Sequence, residues 1–250
     1  MSGDYTIDKN ERRGTMNTNQ LSERLAMVAS FVPNHTVLAD IGSDHAYLPC
    51  YLMNKGKIRK AIAGEVVTGP FEAATRNVDL HGFADRIEVR LANGLQAIED
   101  ADHVETVTIA GMGGTLITSI LEAGKDRLKH VERIIVQPNL HAIAIREWAV
   151  ANGFCIVDEE ILQEDSKIYE VLVLEKGMAD YSKTDLLVGP VLRHKLSSVF
   201  RAKWEREMLE WQRVIKALDH AEQTEEIKRK KANIQDNIEL VRKVLAHEEK

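Results

Sequence analysis

The chain has 250 residues and a mass of 28.1 kDa, with 44% hydrophobic and 29% charged residues. That balance belongs to soluble globular proteins and excludes fibrous and disordered classes. No window approaches the roughly 20 apolar residues that span a bilayer, and Met1 to Thr15 is polar where a signal peptide is apolar, so a membrane or exported protein is not expected. Cys50 and Cys155 are too few for a disulfide framework or a thiolate zinc site, and the histidines show no metal-ligand spacing. A cytoplasmic protein without a bound metal is expected. The net charge of −6 is unevenly spread: residues 190–250 carry 14 Lys and Arg against 11 Asp and Glu, the rest 19 against 28. Only the tail, at +3 against −9, suits a polyanionic partner.

Residues 1–15 lack a hydrophobic period and read as a disordered leader or an appended, non-native segment. From Met16 onward, Leu21, Leu25 and Val28 keep helical spacing. Five β-rich runs then alternate with helical patterns: 36–42, 60–66, 86–93, 104–111 and 133–139. Such alternation predicts a parallel sheet with helical crossovers, a doubly wound α/β domain over 16–178. Runs 154–163 and 167–177 leave no room for a crossover helix and predict an antiparallel hairpin. Five parallel strands closed by such a hairpin resemble the class I methyltransferase variant of the fold.

After Pro190 the apolar residues Phe200, Trp204, Met208, Trp211, Ile215 and Leu218, then Ile227, Ile234, Ile238, Val241 and Leu245, predict two helices with a polar turn at 219–224. An antiparallel helical coiled-coil domain over 190–250 would bury both stripes within a monomer; a dimeric coiled coil is the competing arrangement.

The strongest local signal is VLADIGSDHAYLP, residues 37–49, where an apolar strand ends in Asp40 and turns at Gly42 into a helix. Glycine lets a ligand approach the backbone, and the helix start offers free N–H groups. The later glycine positions of a dinucleotide fingerprint hold Asp44 and Tyr47, which oppose a pyrophosphate but admit a zwitterionic amino-acid group. Capping of a helix by Asp40 and Asp44 is the plainer alternative. Glu65 ends the second strand, 25 positions after Asp40, as a ribose ligand does. Asn93 and Gly94 end the third strand, where an amide can read an adenine edge. AGMGG, residues 110–114, follows the fourth strand, and its glycines open a path for a planar substrate. Gln137, Pro138 and Asn139 end the fifth strand, and the two amides offer donors and acceptors to a base. The basic run Lys228, Arg229, Lys230 and Lys231 is either a solvated face or a nucleic-acid contact.

Taken together, DIGSDHAYLP, the GEV of residues 64–66, AGMGG and QPN, with the hairpin and helical tail, resemble the bacterial tRNA (adenine-N1)-methyltransferase family that modifies adenosine 22 in the D arm. The resemblance implies S-adenosylmethionine as cofactor and tRNA as partner. It implies cofactor contacts from Asp40, Gly42, Asp44, His45, Glu65, Val66, Asn93, Gly94, Ala110 and Gly111. Asp44 and Met112 are expected at the reacting atoms, and Tyr47, Met112, Gly113, Gln137 and Asn139 beside a flipped base, with Lys228 to Lys231 on the tRNA backbone. No general base is needed, because adenine N1 already carries a lone pair; Asp44 would stabilise the cationic product. Two rival classes stay open: an NAD-dependent dehydrogenase, opposed by the missing glycines and the hairpin, and a non-catalytic coiled-coil interaction protein.

Overall fold

A computed structural model describes residues 20–220 and 222–246; the expected leader, residues 1–15, lies outside them. The helix α1 (Glu23–Phe31) is capped by the Ser22 hydroxyl, which accepts from the Leu25 N–H. Strands β1 (Thr36–Ile41), β2 (Ile58–Glu65), β3 (Ile87–Leu91), β4 (Thr106–Met112) and β5 (Arg133–Pro138) alternate with α2 (Tyr47–Asn54), α3 (Thr68–Leu80), α4 (Gly114–Ala123) and α5 (Ala142–Ala151). Then follow β6 (Phe154–Glu164) and β7 (Lys167–Lys176), and finally α6 (Lys183–Val188), α7 (Leu192–Lys195), α8 (Ser198–Asp219) and α9 (Glu225–Ala246).

The strands form one sheet in the order β3-β2-β1-β4-β5-β7-β6. The first five are mutually parallel, and β7 runs antiparallel to both β5 and β6. The expected methyltransferase sheet is thus present, strand for strand. Every residue of the central strand β1 is buried, whereas edge strand β6 alternates. Period-two alternation divides the core between two faces: Val37, Ala39 and Ile41 pack with α4 and α5, while Leu38 packs with α1, α2 and α3. The order reverses between β1 and β4, so their carboxyl ends open a crevice of the kind in which ligands of such sheets bind.

Helices α8 and α9 form an antiparallel hairpin. Arg201 near the start of α8 donates to the Leu245 carbonyl, and Lys231 pairs with Asp219 at the opposite end. A third core joins this hairpin to the sheet, with Ile161 of β6, Leu187 and Val188 of α6, Leu192, Phe200, Trp204, Val241 and Val244. The expected boundary therefore moves: residues 183–188, outside both expected domains, belong with the helices. Nor is the tail a loosely tethered appendage. Beneath it, Arg146 is fully buried between Glu159 and Glu170, at 2.6 and 2.8 Å, and Lys203 of α8 pairs with Glu170. The Val191 and Leu192 N–H groups donate to Glu159.

Candidate active site

The loop from β1 to α2 carries unusual backbone strain: Asp44, Ala46 and His45 between them all have positive φ, at 43°, 55° and 68°. Left-handed backbone costs roughly 1–2 kcal/mol per non-glycine residue, so the surroundings must impose it. Three buried or half-buried side chains do so. Asp40 accepts from the hydroxyls of Ser43 and Thr108, both at 2.6 Å. Glu65 Oε1 accepts from the Asp44 N–H at 2.5 Å, and Asn77 of α3 donates to the His45 carbonyl at 2.7 Å.

Burial pushes the Asp40 carboxyl above the usual range, against the Ser43 and Thr108 hydrogen bonds, with Asp44 adding to the rise. Burial likewise raises Glu65 against the hydrogen bond from the Asp44 N–H, and the charges of Asp40 and Asp44 add to the rise. His45, 2.8 Å from Asp44, is the ion-pair partner found for these three carboxylates among the described residues. An acidic cluster lacking Lys or Arg suits a ligand that brings its own positive charge.

Across the crevice, the turn after β4 is tied to the turn after β5. Gln137 Oε1 accepts from the Gly111 N–H at 3.0 Å and from Arg24 of α1 at 2.5 Å, and Asn139 Nδ2 donates to the Gly111 carbonyl at 2.7 Å. The guanidinium of Arg24 also lies 5.5 Å from the centre of the Tyr169 ring. Gln137 is fully buried. Its amide, expected to meet a base, braces the two turns from within the protein, and the exposed Asn139 lies at the rim.

The three glycines of AGMGG separate into distinct causes. Gly111 takes φ +79°, and a Cβ on Gly114 would lie 2.1 Å from the His141 carbonyl oxygen. Gly113 alone faces open space, so the open path expected of all three rests on one. Met112 reaches across to the β1 loop: a Cβ on Gly42 would lie 2.2 Å from its methyl carbon. Tyr47 stacks on His45 with ring centres 5.4 Å apart. Thus Asp40, Gly42, Asp44, His45, Tyr47, Glu65 and Met112 gather around one loop, Ala110 sits in the β4 tip, and Val66 is 66% exposed just past β2. Asn93 and Gly94 line a recess of about 280 Å³ with Leu116 and Ile120. Lys228 to Lys231 lie on α9, far along the chain from these motifs; Lys228 pairs with Glu225 and Lys231 with Asp219, while Arg229 and Lys230 are exposed.

Arg24, Asn77, Thr108 and Tyr169 escaped the sequence reading. Arg24 and Asn77 sit in short amphipathic helices where a polar residue reads as solvent-facing, and Arg24 meets Gln137 from 113 positions away. Thr108 lies in a buried strand, and the hydroxyl among its apolar neighbours was the available signal.

A family model described as tRNA (adenine(22)-N(1))-methyltransferase matches residues 38–243. The curated Bacillus subtilis (strain 168) tRNA (adenine(22)-N(1))-methyltransferase is 45% identical over 238 residues, covering 93% of this chain and all of the relative. The crystal structure of the B. subtilis m1A22 tRNA methyltransferase superposes with a TM-score of 0.86 at 44% identity, over 91% of this chain and 99% of the other. A Streptococcus pneumoniae structure, described as a candidate tRNA (m1A22) methyltransferase and solved with S-adenosyl-L-methionine, gives 0.82 at 44% identity, over 90% of this chain and all of the other.

Proposed function

This chain belongs to the tRNA (adenine(22)-N(1))-methyltransferase family and is an S-adenosylmethionine-dependent tRNA methyltransferase, and we propose that its strained β1 loop and acidic cluster hold the cofactor for direct transfer to adenine N1. The carrying observation is the cluster of Asp40, Glu65 and Asp44: the first two are buried and held by hydroxyls and a backbone N–H, Asp44 is exposed beside His45, and none has a lysine or arginine partner among the described residues. When bound, S-adenosylmethionine supplies a methyl group on a positively charged sulfur beside an ammonium group. The residues present fit such a ligand in charge, with three carboxylates and no lysine or arginine paired to them among the described residues.

Asp40 fixes the Gly42 turn through Ser43 and Thr108. Glu65 has one oxygen on the Asp44 N–H and is assigned the ribose hydroxyls with its remaining acceptor capacity. Val66, Asn93 and Gly94 are assigned to the adenine of the cofactor, and Ala110 and Gly111 to the opposite wall. Adenine N1 of the substrate attacks with its own lone pair, so the chain's task is alignment of reacting atoms about 3–3.5 Å apart rather than proton removal. Product formation places a positive charge on the base, and Asp44, with an exposed carboxylate, offsets it. Met112 and Gly113 form the floor under the base, Asn139 the rim, and Tyr47 a stacking partner for the unstacked adenine. Arg24 latches α1 over the same rim through Gln137. The tail, with its net positive charge and the Lys228–Lys231 run, grips the tRNA. The enzyme acts as a monomer in the cytoplasm; no helix among the described residues is long and apolar enough to cross a membrane.

The test is transfer of a labelled methyl group from S-adenosylmethionine to unmodified tRNA, followed by nucleoside mass spectrometry. The expected product is 1-methyladenosine, lost when adenosine 22 is replaced by guanosine. A methyl group on another atom, or equal labelling of the replaced tRNA, would overturn the assignment.

A further inference from the structure

A cleft of about 670 Å³ opens beside the methyl-transfer site, between the segment after β5, the β6–β7 turn and α8. Asn139 lines the cleft and also bonds the Gly111 carbonyl at the rim of the site, so the cleft adjoins that rim. Its size falls within the range of small-ligand sites. Tyr169 and Trp211 supply aromatic surface, and Lys167 and Arg206 bring positive charge; Glu207 adds an acceptor suited to an exocyclic amino group. Lys203 is already engaged by Glu170. Trp204 also lines the cleft, and its indole N–H is a buried donor for which no hydrogen-bond partner is found among the described residues.

Planar stacking surface and cations together describe a site for a nucleotide: a base to stack and a phosphate to neutralise. We propose that this cleft receives a second, unstacked nucleotide of the tRNA, one that flanks the target adenosine. The inference rests on the tRNA methyltransferase reading above, and its occupant is RNA because the cleft adjoins the rim assigned to the target base through Asn139. Holding a neighbouring nucleotide would keep the strand splayed and help to offset the few kcal/mol that unstacking the adenine costs.

The full chain would be tested with tRNA carrying 2-aminopurine at each nucleotide flanking adenosine 22 in turn. One position should change its emission on binding, and Trp211→Ala should abolish that change. The same variant should raise KM for tRNA about ten-fold, within the range of base–aromatic stacking, and leave S-adenosylmethionine affinity and kcat at saturating tRNA unaltered. Trp211→Phe should restore both signals. Arg206→Gln, at an exposed position that does not depend on the core, should lower the log–log salt slope of tRNA binding by about 0.7 to 0.9. Wild-type emission, KM and salt slope in both variants would overturn the proposal. If the wild type methylates no tRNA yet the emission change survives and depends on Trp211, the enzymatic reading fails and the nucleotide cleft stands. Absence of any tRNA-dependent emission change in the wild type would sink the cleft while leaving methylation to its own assay.

Discussion

Two regions of this molecule bury a pair of carboxylates each, and they treat them in opposite ways. At the joint between sheet and helices, Glu159 and Glu170 are 0% and 4% exposed and share the guanidinium of Arg146, with Lys203 added on Glu170. At the carboxyl ends of β1 and β2, Asp40 and Glu65 are 4% and 6% exposed and are held by hydroxyls and a backbone N–H. Burial dominates at all four, but two cations bring Glu170 below the ordinary carboxylate value, while Asp40 and Glu65 stay above it. Glu159 remains raised despite Arg146. Buried charge matched from within locks a structure together, and leaving one partner behind is costly. Buried charge left unmatched destabilises the free protein, and its retention is accounted for when a ligand supplies the missing cation.

The largest way to break the joint is to end the chain after residue 178. The packing predicts no autonomous sheet domain there, because loss of Leu187, Val188, Leu192, Phe200 and Trp204 would leave Ile161 and the buried ion network uncovered. Each buried side chain carries roughly 1.5–3 kcal/mol, so the loss is on the order of 10 kcal/mol, comparable to the whole stability of a domain. A thermal scan should find no cooperative transition; a sharp one would make the tail an appendage after all.

Arg146→Met isolates the ion network alone. Two buried carboxylates lose their shared cation, and urea unfolding should register a loss of about 3–5 kcal/mol. Calorimetry on the folded variant should return S-adenosylmethionine affinity within about two-fold of wild type, since the network lies on the other flank of the sheet. Weakened cofactor binding would merge the two regions.

Glu65→Ala works the other side of the comparison. The Asp44 N–H loses its acceptor and the ribose its assigned ligand, and hydrogen bonds to charged groups are worth about 1.5–3 kcal/mol, so S-adenosylmethionine should bind about 10- to 100-fold more weakly. The melting temperature should move little. Equal affinity in wild type and variant would remove Glu65 from the site.

Acidity should separate the regions by sign. Glu170 has a folded value below its ordinary 4.5, so its contribution is present above that value and lost as pH falls through the folded one. Asp40 and Glu65 are raised, so theirs is present below 3.8 and 4.5 and lost as pH rises through the folded values. Glu170→Gln should flatten the acid limb of melting temperature against pH; an unchanged limb would mean that Glu170 does not drive it.

The smallest effect belongs to the basic run. Lys228 and Lys231 are occupied by Glu225 and Asp219, leaving Arg229 and Lys230 as the ready phosphate ligands. Replacing all four by Gln should lower the salt slope of tRNA binding by about 1.4 to 1.8, the share of two contacts. No change would return the run to a solvated face.

The uneven legibility of these regions has a physical origin. Alternating strands, the Gly42 and Gly111 turns, and carboxylates at strand ends are local patterns, and the expected strands agree with β1 to β7 within a few residues. Helix α1 was legible only as a period, because its consequence, Arg24 on Gln137, spans 113 positions. Arg146 sits in AIAIREWAVA, where a lone arginine in an apolar run reads as its solvent face. Its burial depends on two glutamates in the following hairpin, which alternate like any half-exposed strand. Asn77 and the strained loop it clamps are invisible for the same reason: strain is imposed by partners, not by the residues that bear it.

The unmatched acidic face is tested most directly by Asp40→Asn, titrated with S-adenosylmethionine by calorimetry beside a thermal scan of the free protein at neutral pH. Asparagine keeps the shape and can still hydrogen-bond Ser43 and Thr108, whose hydroxyls both donate and accept. The predicted result is a melting temperature equal to or above wild type together with an affinity loss of at least about ten-fold. A variant that melts well below wild type while binding the cofactor normally would show that the charge serves the fold, and would contradict the account.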